Sequence, residues 1–98
     1  MIRHIVLFRF ADHASADAIE AARDALGAMR ESISEIRDLS FGPNLGPSAG
    51  EWPHVLMVTV DNMAAVEAYL THPVHVDTIA RFVAPIREAR MAIDVETA

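Results

Sequence analysis

The stretch His4-Ile5-Val6-Leu7-Phe8-Arg9-Phe10 is apolar at both parities through its centre, and that property sets the architecture. The run is too short for a buried helix and rich in β-branched and aromatic side chains, so residues 2–10 read as a strand. Side chains along a strand alternate between faces, which places His4, Val6, Phe8 and Phe10 on one side and Ile5 and Leu7 on the other. A strand covered on one side only alternates apolar with polar residues. This one is expected to be covered on both.

Working outward, Ser15 is a plausible N-cap, with Asp17 in the first turn behind it. Ile19, Ala22, Leu26, Met29 and Ile33 then recur at helical spacing, opposite Glu20, Arg23, Arg30 and Glu31. Residues 36–45 suggest a weaker strand around Leu39 and Phe41. A turn-rich loop, Gly42 to Gly50, leads through Trp52-Pro53 into a strand from His54 to Val60. Asp61 or Asn62 caps a second helix with Val66, Tyr69 and Leu70 inward. Pro73 disfavours helical geometry at His72, so the helix stops or bends there and restarts. His75, Ile79, Phe82 and Ile86 share a face of the continuation, and Pro85 marks its end. A last strand runs from Ala89 to Val95.

The order β-α-β-β-α-β predicts an α+β, ferredoxin-like domain over residues 1–98, a four-stranded antiparallel sheet with the helices on one face. Its bare face would carry Ile5, Leu7, Val55, Met57 and Thr59. A monomer rarely leaves such a patch wet, and a twofold partner laid sheet to sheet would hide it. Composition agrees, since 52% of the 98 residues are hydrophobic, more than one small core easily hides.

The formal charge of −6 argues against nucleic acid or an anionic membrane as partner, because both require clustered cations. Lysine is absent, which removes Schiff-base chemistry, and the absence of cysteine removes thiolate nucleophiles, disulfides and cysteine metal sites. Arg9 and Asp12 interrupt the apolar start before a signal peptide can form, and no stretch has the roughly 20 apolar residues of a membrane helix. A cytoplasmic protein is the expectation.

Chemistry concentrates in a second stretch, Tyr69-Leu70-Thr71-His72-Pro73-Val74-His75-Val76, a phenol and two imidazoles at the joint between helical segments. Imidazole is well suited to proton transfer near neutral pH. Tyr69 and His75 are six apart, beyond the neighbour spacing of one continuous helix, but the break at Pro73 can turn both toward the sheet. The structural reading competes with this one: where proline removes a donor, His72 or His75 can serve as a cap.

With these two stretches in the same element order, the chain from residue 2 to about 95 resembles the stress-responsive A/B barrel family, also called dimeric α+β barrel domains. The resemblance implies a homodimer whose two sheets face each other. It carries less chemistry, because the family spans plant stress proteins, many bacterial members and a plant tetraketide cyclase that closes its product by an aldol step. In that cyclase the positions corresponding to His75 and Tyr69 are associated with catalysis, and the one corresponding to His4 lines the same pocket. A pocket tyrosine of the cyclase falls at Leu26 here, so substrate identity does not carry over.

If the three groups converge, His75 would remove a proton beside a carbonyl, Tyr69 would donate to the developing enolate oxygen, and His4 would orient the base or a water. The surrounding pocket is expected to comprise Val6, Phe8, Leu26, Met29, Ile79 and Phe82, with His54 also able to point toward the helices. Such a pocket suits a small, mostly apolar carbonyl ligand. Asp94 could orient an imidazole, although its parity with Arg90 favours a surface ion pair. His72 and His75 are poorly placed for a metal across Pro73, nothing singles out haem, and no cofactor is expected. Gly46-Pro47-Ser48-Ala49-Gly50 matches the G-x-S-x-G pattern but lies between two strands, not at a strand-to-helix turn, and reads as a loop. Two functions stay open: cyclase or isomerase chemistry by acid/base catalysis, or a non-catalytic dimer, stress-associated or small-ligand-binding, whose pocket holds an apolar molecule or merely completes the core.

Overall fold

Local chemistry sets the helix boundaries in the computed structural model, which describes residues 1–97. The Ser15 hydroxyl accepts from the Ala18 N–H, opening helix α1 (Ala16–Ser32), and the Asn62 amide oxygen likewise accepts from the Ala65 N–H to open α2 (Met63–Thr71). Pro73 ends α2 and occupies the first turn of a short helix, α3 (Pro73–Thr78), which runs into a π-turn over Ile79–Val83.

Four strands, β1 (Ile2–Phe10), β2 (Asp38–Pro43), β3 (His54–Val60) and β4 (Arg87–Glu96), form one antiparallel sheet in the order β2-β3-β1-β4. This is the expected ferredoxin-like arrangement. Strand β2 is shorter than the span 36–45 suggested. Strand β4 starts at Arg87, ahead of Ala89, because its ladder with β1 continues past a bulge at Arg9/Phe10. The loop before β3 contains a 3₁₀ turn, Pro47–Gly50. Its Asn44 side chain accepts from the Gly46 N–H and donates to the Ser48 hydroxyl and the Trp52 carbonyl. Ser48 is thus a loop residue between strands.

The core lies between the sheet and the helices, where Leu26 and Met29 of α1 and the C-cap residue Ile33 meet Val58 and Val60 of β3 and Tyr69 of α2. The opposite face of the sheet has no helix. Ile5 pairs with Met57 and Ile93, and Leu7 pairs with Val55 and Met91, so apolar side chains run across three strands. Met57 (37%), Met91 (43%), Ile93 (46%) and Val95 (41%) are exposed there. Strand β4 therefore enlarges the patch beyond the residues expected from β1 and β3. No helix among the described residues is long and apolar enough to cross a membrane.

Candidate functional site

Pro73 creates the site by disturbing backbone hydrogen bonds. The Tyr69 carbonyl would normally accept from the residue four ahead, which is proline, and takes the His72 N–H at 3.2 Å instead. The Leu70 carbonyl would accept from Val74, but that N–H donates to Nδ1 of His72 at 3.1 Å. Leu70 is left to the His75 imidazole, whose Nδ1–H donates to its carbonyl at 2.9 Å. Both histidines thus cap the joint as the structural reading required. For His75 the consequence is also chemical. With Nδ1 carrying the proton, a neutral His75 presents Nε2 as a free lone pair.

Tyr69 brings the remaining parts together. Its ring centroid is 4.6 Å from that of His75 and 5.8 Å from that of His4, which it meets edge-on at 63°. The break rotates α3 against α2, so residues six apart in sequence become ring neighbours. His4, only 4% exposed, projects from β1 on the helix-facing side. Its Nδ1–H donates to Oδ1 of Asp94 at 2.7 Å. Asp94 therefore does not form the expected ion pair with Arg90. The register places Asp94 directly opposite His4 and Arg90 opposite Phe8.

A cavity of about 150 Å³ adjoins these groups. His4, Tyr69 and His75 line it, together with the expected Val6, Phe8, Leu26 and Ile79. No buried side-chain nitrogen or oxygen among the described residues is both enclosed and unpartnered. Burial pushes the His75 pKa below its ordinary value, with further lowering from His4, Arg90 and His72 against an opposing pull from the Leu70 carbonyl. Burial pushes the Tyr69 phenol well above its usual range. At neutral pH the pair is a deprotonated imidazole beside a protonated phenol, an acceptor next to a donor.

Three expected pocket residues are elsewhere. Met29, 1% exposed, fills the core and does not line the cavity. His54 packs in an aromatic cluster, its ring 4.8 Å from Phe10, 6.0 Å from Phe41 and 6.2 Å from Phe8. Burial and the charge of Arg23 lower its pKa. Phe82 is displaced by the π-turn, in which the Ala84 N–H bonds the Ile79 carbonyl at 2.8 Å. Rotation per residue is smaller in the wider turn, so three residues beyond Ile79 fall short of the inward direction and four reach it. Val83 takes the place, and Phe82 lies under the Arg81 guanidinium at 5.3 Å.

Sequence reasoning missed Leu56, Leu70, Val83, Arg87 and Arg90 as lining residues. Strand parity could have found Leu56 and Arg90, whereas Val83 and Arg87 depend on the π-turn and the bulge. No cluster of three or more metal-ligating side chains occurs among the described residues.

Comparison with known proteins places this geometry in context. The profile of the stress responsive A/B barrel domain family, Dabb, matches residues 2–97. A dimeric protein of ferredoxin-like fold from Bacteroides fragilis is 31% identical, with a TM-score of 0.82 over 98% of this chain and 95% of that one. A dimeric ferredoxin-like protein from Thermobifida fusca is 32% identical, with a TM-score of 0.84 over 98% and 90% of the two chains. A hydroxynitrile lyase from Passiflora edulis shares the fold at 21% identity, with a TM-score of 0.84 over 96% and 90%. The comparison with curated proteins found no match.

Proposed function

Since the chain belongs to the stress responsive A/B barrel domain family, we propose that it works as a homodimer in which each subunit holds a small carbonyl compound and moves a proton beside its carbonyl, as a cofactor-independent cyclase or isomerase would. The observation that carries this reading is the polarity of the His75–Tyr69 pair. His75 is held by Leu70 with Nε2 free, 4.6 Å ring to ring from a phenol that burial keeps protonated. Nε2 takes the α-proton, the C–H electron pair becomes the C=C bond of an enolate, and the carbonyl electrons move to an oxygen that accepts from the Tyr69 hydroxyl. His75 then returns its proton to carbon in an isomerisation; in a cyclisation the enolate carbon bonds to a second carbonyl carbon of the same ligand, whose C=O electrons move to its oxygen, and that oxygen takes the proton. His4, fixed by Asp94, is a positioning residue at the wall.

Size limits the ligand. A cavity near 150 Å³ accepts a benzene-sized group, so a polyketide-like chain would have to extend beyond its mouth. The apolar sheet face argues for the dimer, because a second copy covers it symmetrically and similar structures are described as dimeric.

The test is benzylic hydrogen–deuterium exchange in 1-phenylbutane-2,3-dione, followed by proton NMR in D₂O. The protein should accelerate exchange well above an equal concentration of free imidazole. His75→Gln, which keeps a donor for the Leu70 carbonyl but removes the base, should abolish the acceleration. A second reading, a ligand-holding dimer without turnover, is favoured by the capping work that His72 and His75 already perform. Binding of the diketone with exchange no faster than imidazole would select it.

A further inference from the structure

The bulge in the β1–β4 ladder decides which charge faces the cavity. Phe8 pairs with Arg90 and Arg9 with Ala89, so an even ladder would set Phe10 against Glu88 and turn that carboxylate toward the helices. The register shift between Arg9 and Phe10 pairs Phe10 with Arg87 instead. Glu88 stays with Arg9, whose Nε donates to its Oε2 at 2.6 Å. Arg87 comes to line the cavity beside Arg90.

Away from the cavity, Arg3 stands on the other face of β1 from His4, and most of the remaining arginines are committed. Arg9, Arg30, Arg37 and Arg81 each meet a carboxylate, and Arg23 lies 5.3 Å from the Phe41 ring. Arg87 and Arg90 have no carboxylate within ion-pair distance among the described residues. Asp94, on the same side of β4, is engaged by His4. Burial and the charge of Arg90 both act against the guanidinium of Arg87, a cost that an anion between the two would relieve. In a chain of net charge −6, two uncommitted cations lining this cavity make a local site for an anion.

We infer that this cavity selects a carbonyl compound bearing a carboxylate, a small oxo acid whose acidic group is held by Arg87 and Arg90 while its apolar end lies among Leu26, Leu56 and Val83. Guanidinium forks match carboxylate geometry, and the carbonyl of such a ligand shares the cavity with Tyr69 and His75, which also line it. The inference rests on the ligand pocket proposed above and adds the charge of its occupant.

Calorimetric titration of phenylpyruvate against 1-phenylbutane-2,3-dione, in which an acetyl group replaces the carboxylate, tests it. The acid should bind at least tenfold more tightly in low salt, with the gap narrowing as salt rises. The double variant Arg87→Gln/Arg90→Gln should bind the two compounds about equally, and Arg87→Lys/Arg90→Lys should retain part of the preference. Equal binding of the two compounds by the unaltered protein, or an undiminished preference in the glutamine variant, would overturn the carboxylate assignment and leave the pocket standing. Failure of both compounds to bind would remove the pocket reading together with it. Thermal melts of each variant show whether it is folded, and the wild-type comparison needs no variant.

Discussion

His4 and Asp94, ninety residues apart in sequence, face each other across the β1–β4 ladder with 2.7 Å between Nδ1 and Oδ1. The imidazole is almost fully buried and the carboxylate about a third exposed, so the bond stays accessible to solvent at one end. A carboxylate in that position fixes the ring orientation and, in the neutral ring, the Nδ1–H tautomer.

Asp94→Ala should remove that constraint. Long-range proton–nitrogen NMR spectra, taken where the ring is neutral, should show one His4 tautomer in the unaltered protein and a mixture in the variant. Stability should fall by about 1.5–3 kcal/mol, the usual scale for a lost hydrogen bond to a charged group, as read by denaturant unfolding. An unchanged tautomer would mean that the neighbouring rings, and not Asp94, hold His4.

Tyr69 separates packing from chemistry. Its ring is 1% exposed in the core, whereas its hydroxyl has no protein partner among the described residues and opens toward the cavity. Tyr69→Phe should therefore cost under about 1 kcal/mol and Tyr69→Ala about 3–5 kcal/mol. Proton exchange in the diketone should drop sharply in the phenylalanine variant. Full exchange activity there would remove the phenol from the mechanism.

The pH response has a definite sign. Burial holds His75 and His54 below the ordinary histidine value, which is about 6.5. As pH falls through that value the unfolded chain takes up protons that the folded chain still refuses, so stability declines on acidification and levels off once the folded rings also titrate. At the alkaline end the raised Tyr69 pKa predicts stability lost above about 10, where an unfolded tyrosine ionises. Unfolding midpoints across the pH range check both limbs. The exchange rate should rise with pH through an apparent pKa below that of free histidine. A midpoint independent of pH between 5 and 8 would contradict the burial argument.

Assembly should respond to charge on the bare sheet. Met57→Glu or Ile93→Asp, which flank Ile5 in one row of the patch, would bring carboxylates toward their symmetry mates, so solution mass should shift from dimer toward monomer. Each side chain is more than a third exposed in the isolated chain, so intrinsic folding should change little. An unaltered protein that is a stable monomer at high concentration would refute the sheet-to-sheet arrangement.

Leu26 tests the cavity itself. Leu26→Trp would fill it and should abolish binding of the diketone. Leu26→Ala should enlarge it, at a stability cost of about 2–5 kcal/mol, and admit bulkier ketones by calorimetry.

The sequence alone determined the element order, the two-sided first strand and the break at Pro73, because periodicity and proline act over a few neighbouring residues. It identified His4, Tyr69 and His75 by type, along with the inward parity of Val6, Phe8 and Leu26. Only the tertiary structure decided what those side chains meet. The β1–β4 register gave Asp94 to His4, a bulge exchanged Glu88 for Arg87 at the cavity, and a π-turn brought Val83 inward in place of Phe82. A strand's register and a helix's extra residue each depend on packing against partners distant in the chain, and a one-residue shift is enough to reverse which side chain faces inward.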